Sequence, residues 1–306
     1  MLIIGENIQI LSPSVKQAIE ERDAGFIQDL ARRQVEAGAG VVDLNIGPQK
    51  KHGVEVMPWI VDAVQQVTDA TLSLDTTNLA AMEAGLQVCT RPAMVNSASA
   101  DPARLDAVMQ LAAKYDARVI ALTMGLDGIP TTTDGRAGIA MESLLPAAEA
   151  AGLSPGDVFL DPLVLTVTCN QDVAGVAIEA IRMFKMLSDP APMTTVGLSN
   201  VSNGCPDVAR SLINRTYLVM LMGAGLDSAI ADPFDERQKE WVRIVEERDN
   251  ASAVGRLVLA LHDATRDMEE LEFGLIDRED PEQVAIYKTY RMLTGAVIYA
   301  DSYLSV

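Results

Sequence analysis

The chain has 306 residues, 43 of them Asp or Glu against 24 Lys or Arg, for a net charge of −19, with 49% hydrophobic and 22% charged side chains. That apolar content suffices for a sizeable core and argues against disorder, and the length holds one α/β barrel of roughly 250 residues with chain to spare. So acidic a surface repels phosphodiester backbones and anionic lipid, so neither nucleic acid nor membrane is an expected partner, and an N-terminus without a basic region, apolar segment and cleavage site points to the cytoplasm.

Eight short β-rich runs recur along the chain: residues 1–8, VVDLNIGP at 41–48, TLSLDTTN at 71–78, AMVNSAS at 93–99, RVIALTM at 118–124, VFLDPLV at 158–164, TTVGLSN at 194–200 and LDSAIADP at 226–233. Helical spacing separates them. Ile27, Leu30, Ala31 and Val35 precede Gly38, and Met57, Ile60, Val61, Val64 and Val67 follow the second run. After the fourth run, Asp101 is placed to cap a helix with Pro102 at its first position, and Leu105, Val108, Met109 and Ala112 share one face. Gly125 to Gly135 is a solvated loop, and Met183, Met186, Met220 and Met222 fill core positions. Strands alternating with helices imply right-handed parallel βαβ units, and eight of them predict a closed (β/α)8 TIM barrel, with an open sheet as the alternative. No G-x-G-x-x-G or G-x-x-x-x-G-K-[ST] supports a dinucleotide or P-loop fold.

About 70 residues follow the eighth run, more than the one helix that a barrel requires. Trp241, Ile244, Val245 and Arg248 begin a charge-dense helix, Leu257, Val258 and Leu261 continue an apolar stripe, and Ile286, Tyr290, Leu293 and Val297 form another after Pro281. The expectation is one domain over 1–306 with a helical extension over about 236–306, suited to docking or dimerisation. Cys89, Cys169 and Cys205 form no C-x-x-C pair and His52 and His262 stand apart from them, so no metal is expected on this chain.

The strands end in carboxylates and carboxamides: Asp43 and Asn45, Asp75 and Asn78, Asn96, Asp161, Asn200 and Asp232. In a barrel these ends share one mouth, where active sites of the fold lie. Such a mouth suits a donor-rich ligand, and a pterin presents its 2-amino group and N3–H as a donor edge that one carboxylate accepts in bidentate fashion. Each of Asp43, Asp75 and Asp161 taken singly reads equally well as a helix cap. His52 with Lys50 and Lys51 is placed for a folate glutamate tail or is merely an exposed loop.

MLIIGENI, VVDLNIGP, SLDTTN, AMVNSAS, ALTM with GIP, FLDPL, KMLSDPAP, VGLSNVSNGCP, LINRTYLVM and AIAD, in this order, resemble the methyltetrahydrofolate:corrinoid (iron–sulfur) protein methyltransferases of the pterin-binding barrel superfamily, over residues 1 to about 235 and again at IYADSY. The resemblance implies that Asp75, Asn96 and Asp161 hold the pterin ring and that Asn200 hydrogen-bonds near N5. Gly197, Ser199 and Ile230 would line the pocket, and Glu6, Asp43 and Asn45 would support it from behind. Asn203, which stands where a member of that family has Gln, would belong to the same folate-binding set through a shorter contact. It implies tetrahydrofolate or methyltetrahydrofolate as substrate, cobalamin carried by a partner corrinoid protein with Co(I) as nucleophile, and a homodimer. A methyl group leaves N5 only if that nitrogen gains a proton or a strong hydrogen bond in the transition state, and a neutral Asn supplies the second. A dihydropteroate synthase-like enzyme and a noncatalytic folate-binding subunit are the alternative readings. The first lacks its late Lys constellation and Arg-x-His signature here, and the second is disfavoured by the intact GLSN.

Overall fold

The computed structural model describes residues 1–304. Its strands are β1 Leu2–Gln9, β2 Val41–Asn45, β3 Thr71–Asp75, β4 Met94–Ser99, β5 Arg118–Leu122, β6 Val158–Asp161, β7 Met193–Thr194 and β8 Ser228–Ala231. Its helices are α1 Pro13–Glu21, α2 Ala24–Glu36, α3 Gly53–Gln65, α4 Leu79–Val88, α5 Leu105–Lys114, α6 Thr133–Ile139, α7 Leu145–Ala151, α8 Val167–Asn170, α9 Ala174–Phe184, α10 Asp207–Gly223, α11 Glu236–Glu247, α12 Ala253–Asp267 and α13 Pro281–Leu293. None of these is long and apolar enough to cross a membrane, among the described residues.

All eight predicted strands are present, parallel, and ordered β7-β6-β5-β4-β3-β2-β1-β8, so each pairs with its neighbour in sequence and β1 also pairs with β8. An open doubly wound sheet would have reversed order partway. The ring closes between β7 and β8 without a full ladder. Gly197 bridges Ile230, whose N–H donates to the Val196 carbonyl at 2.8 Å, and the Asp227 carboxylate accepts from the Thr194 N–H at 2.7 Å and from Lys185 Nζ at 2.8 Å. β7 is shorter than its sequence run because the chain turns into a 3-10 helix at Leu198–Ser202.

Inside the barrel, Ile4, Val41, Met94, Ile120 and Phe159 form one apolar layer, each no more than 2% exposed. Outside it, the predicted faces of α2, α3 and α5 are buried or half-buried against the sheet. Helices α3 and α4 approach closely because residue 85 is glycine: a Cβ there would come within 2.5 Å of Met57 Cγ. The regular α5 begins later than its cap suggests. Asp101 accepts from the Ala103 N–H through its side chain and from the Leu105 N–H through its carbonyl, closing a separate turn before Leu105. Met220 is core as expected, but Met186 lies past the end of α9 and is 76% exposed.

Helices α11, α12 and α13 pack around α10 through Trp241, Val258, Leu261, Ile286 and Leu293. Two expected stripe members fall outside: Arg248 adopts the left-handed conformation that ends α11, and Val297 is half-exposed beyond the end of α13. Gln171, just after α8, donates to the carbonyls of Met292 and Val297, both at 2.6 Å, and accepts from the Tyr299 N–H at 2.7 Å. The C-terminal segment is thereby tied to a loop of the barrel rim.

Candidate active site

Successive inward-facing residues on a strand are two apart, so the step after the apolar layer decides what lines the mouth. After Ile4 comes Glu6, after Val41 comes Asp43, after Met94 comes Asn96, and after Phe159 comes Asp161. A further step brings Asn45 on β2, and Asp75 stands level with both Asn45 and Asn96 by strand register.

These groups bond to one another. Asp43, 3% exposed, accepts from Ser73 Oγ at 2.5 Å and from Asn96 Nδ2 at 3.1 Å. Asn45 donates through Nδ2 to Asp75 and accepts the Gly47 N–H at 3.0 Å. Asp161 Oδ1 accepts the Leu163 N–H at 2.7 Å. On the far side, Ser199 Oγ donates to Glu6, and Asn7 Nδ2 donates to Asp232 at 3.1 Å. None of Asp43, Asp75 or Asp161 caps a helix. The caps are elsewhere: Asn78 accepts the Ala80 and Ala81 N–H groups at the start of α4, and Thr166 accepts the Thr168 N–H at the start of α8.

Asn200 sits in the 3-10 turn after β7 and is exposed to the mouth. Its Oδ1 accepts from Asn203 Nδ2 at 3.2 Å, which leaves its amide N–H groups for a ligand. Gly197 makes room for that amide, since a Cβ at 197 would lie 2.9 Å from Asn200 Nδ2. Ile230, through its bridge to Gly197, forms the apolar wall beside it. Every residue singled out from sequence therefore lies on strand ends or turns at this one end of the barrel.

The electrostatics are those of carboxyls taken out of water, with burial outweighing the nearby cations Arg136 and Arg210. Burial pushes Glu6 up to about 7, the charges of Asp232 and Asp43 push the same way, and the Ser199 hydroxyl opposes them. Burial likewise raises Asp161 to about 7 against the Leu163 N–H and the Arg136 guanidinium. Asp43 and Asp75 are both held above the usual carboxylate range by burial, and the charge of Asp43 raises Asp75 further. A ligand presenting several N–H groups would supply the missing donors and return these carboxyls to their ionised forms.

Sequence reasoning passed over Ser73, which fixes Asp43, and Arg136, which is fully buried beside Asp161. Ser73 shares the inward face of β3 with Asp75, so strand alternation could have found it. Arg136 carries no such signal, because a single arginine in an amphipathic helix reads as solvated.

Among known families, the model of pterin binding enzymes matches residues 13–232. The chain is 33% identical over 238 residues to the methylcorrinoid:tetrahydrofolate methyltransferase of Eubacterium limosum, covering 76% of this chain and 85% of that protein. It is 29% identical over 240 residues to the methionine synthase of Mycobacterium leprae, covering 75% of this chain but only 20% of that protein. Among solved structures, dihydropteroate synthase of Yersinia pestis superposes with a TM-score of 0.57 at 18% identity, covering 81% of this chain and 93% of that one, a likeness of fold alone.

Proposed function

The chain belongs to the family of pterin-binding enzymes, and we propose that it is a methyltransferase that moves a methyl group between N5 of tetrahydrofolate and the cobalt of a corrinoid carried by a partner protein. The observation that carries this reading is the meeting, at one barrel mouth, of carboxyls that burial holds well above their usual range with a carboxamide, Asn200, whose N–H groups are free. The relative from Eubacterium limosum, matched over most of its length, supports the same chemistry.

In this reading Asp75 accepts the 2-amino group and N3–H of the pterin, each charge-assisted bond contributing about 1.5–3 kcal/mol. Asn96 spends one N–H on Asp43 and keeps its oxygen and second N–H for the ring, while Asp161 accepts a further ring donor. Glu6, Asp43 and Asn45 hold these groups and the Ser199 turn from behind. Asn200 faces N5. Its N–H donates to the lone pair that departure of the methyl group leaves on nitrogen, and rotation of the carboxamide lets its oxygen accept from a protonated N5. A carboxamide is not an acid, so the proton itself comes from solvent. The partner's cobalt supplies the methyl-accepting or methyl-donating centre, so no protein nucleophile is needed. The partner is a corrinoid protein, with or without an iron–sulfur cluster, and by the family resemblance the enzyme works as a cytoplasmic homodimer.

The test mixes the purified protein with methyltetrahydrofolate and cob(I)alamin under anaerobic conditions and follows the cobalt absorbance to methylcob(III)alamin. Wild type should react and Asn200→Ala should be at least about tenfold slower, a barrier change near 1.4 kcal/mol. Folate binding without reaction, even when candidate corrinoid proteins are supplied, would favour a noncatalytic folate-binding subunit. Absence of pterin binding would end the assignment.

A further inference from the structure

One side of the mouth is built from two loops, between β5 and α6 and between β6 and α8, and a single side chain joins them. Arg136 on α6 is 0% exposed. Its Nε donates to the Pro130 carbonyl of the first loop at 3.0 Å, and its Nη1 donates to the Leu163 carbonyl of the second at 3.2 Å. Leu163 is a non-glycine residue at φ 68°, a conformation that persists only where neighbours impose it. The two ends of its residue are both held: the carbonyl by Arg136, and the N–H by Asp161 Oδ1 at 2.7 Å. The remaining nitrogen of the guanidinium, Nη2, is buried with no hydrogen-bond partner. A loop staple alone does not require a full positive charge at such depth, where desolvation is costly. Among the described residues the charge has one anionic neighbour, Asp161, and one other titratable group facing it, the Tyr217 hydroxyl of α10, which donates to the Ala174 carbonyl at 2.7 Å.

Taking the mouth as a pterin site, we propose that Arg136 is a positioning residue for Asp161: it fixes the Leu163 peptide that aims the carboxylate, and its guanidinium is the cation set beside that carboxylate. Arg136 touches no ring atom in this account. It acts through Asp161, at the cost of a buried cation that sequence alone does not announce. Without the guanidinium, burial goes unopposed except by the Leu163 N–H, and Asp161 holds its proton to higher pH.

Two substitutions separate charge from geometry. Arg136→Gln keeps donors for the loop carbonyls and loses the charge, whereas Arg136→Lys keeps the charge and loses the planar fork. The affinity for methyltetrahydrofolate is measured by calorimetry from pH 5.5 to 9, with Asp161→Asn as reference. Wild type should weaken as pH falls through about 7, where Asp161 takes up its proton. Arg136→Gln should move that midpoint up by about one pH unit, giving about tenfold weaker binding near pH 7 and recovery toward pH 9. Arg136→Lys should keep the wild-type midpoint and bind a few-fold less tightly throughout. In Asp161→Asn the pH dependence left near neutrality is that of Glu6, Asp43 and Asp75, and adding Arg136→Gln should shift it no further. A folded Arg136→Gln with the wild-type midpoint, or a loss equal at every pH and undiminished in the Asp161→Asn background, overturns the proposal. Should Arg136→Gln not fold, a shifted midpoint in Arg136→Lys overturns it instead. If wild type binds no pterin, the functional reading is what fails. The link is then read in the free protein, where the carboxyl carbon resonance of Asp161 should titrate higher in Arg136→Gln, an unchanged titration refuting it.

Discussion

Two layers of side chains face the interior of the same barrel, two residues apart on the same strands, and differ in almost every physical respect. The lower layer, Ile4, Val41, Met94, Ile120 and Phe159, is dry and apolar. The upper one replaces four of these by Glu6, Asp43, Asn96 and Asp161, of which Asp43, Asn96 and Asp161 are buried almost as deeply. One pleat separates a layer that stabilises the fold from a layer of carboxyls whose desolvation works against it. Proteins tolerate such a layer where a ligand later supplies what is missing. Stability rests on the lower layer and, in the proposed function, recognition rests on the upper, so each part can be broken separately.

The largest effect belongs to the lower layer. Phe159→Ala should lose about 3–5 kcal/mol of stability by removing a fully buried ring that its neighbours cannot replace, measured by urea unfolding. Asp161→Asn, two residues on, should lose less, because it keeps shape and one acceptor and removes a desolvated carboxyl, the cost that remains being the buried Arg136 guanidinium left without its anionic neighbour. Equal losses in the two variants would mean that the mouth is structural as well.

Next comes recognition. Asp75→Asn should weaken methyltetrahydrofolate binding about 10- to 100-fold, the worth of a charge-assisted pair of about 1.5–3 kcal/mol, without lowering the melting temperature. An unchanged dissociation constant would remove Asp75 from the ring site and with it the reading of the β3–β4 edge.

The third test uses pH. Glu6 and Asp161 titrate near 7 in the folded chain, against 4.5 and 3.8 for the free side chains. Between those values the folded state binds more protons than the unfolded state, so stability falls as pH rises. The contribution is complete below the free values and is lost as pH climbs through about 7. The ligand-free protein should accordingly melt a few degrees higher at pH 5.5 than at pH 8. Glu6→Gln should flatten part of that slope while keeping an acceptor for the Ser199 hydroxyl. A steeper slope in Glu6→Gln would show that Glu6 is ionised in the folded chain and held by contacts that its geometry does not reveal.

Most of the lower layer and much of the upper were legible in the sequence. Strand runs such as VVDLN and VFLD alternate, so the residues sharing a face follow from the period of two, and eight such runs separated by helical spacing leave few folds. Asp43, Asp75, Asn96 and Asp161 stood out because polar groups ended apolar runs. Their choice between capping and lining the mouth was not legible. That depends on side-chain direction at the strand end, which residue type does not determine, and it took the positions of Asn78 and Thr166 to show that the caps were already filled. Arg136 was invisible for a related reason. A charged residue in a helix is read as facing water unless tertiary contacts bury it, and those contacts come from loops 27 residues downstream and 6 upstream.

The smallest expected effect sharpens the division within the upper layer between residues that touch the ligand and residues that hold them. Asn203 donates to Asn200 Oδ1 at 3.2 Å from an exposed position. Water can take its place there, so the bond contributes about 0.5–1.5 kcal/mol at most, and Asn203→Ala should slow methyl transfer to cob(I)alamin by about two- to tenfold with the KM for methyltetrahydrofolate unchanged. In the proposed reaction its action is to keep the carboxamide of Asn200 turned with the N–H groups outward, which would bear on the transition state at N5 and hardly on ring binding. Asn203→Gln, one methylene longer, should recover part of the rate by reaching the same oxygen. If Asn203→Ala instead raises KM as strongly as it lowers kcat, Asn203 meets the substrate itself, and the boundary between holding and touching moves one residue further out along the β7 turn.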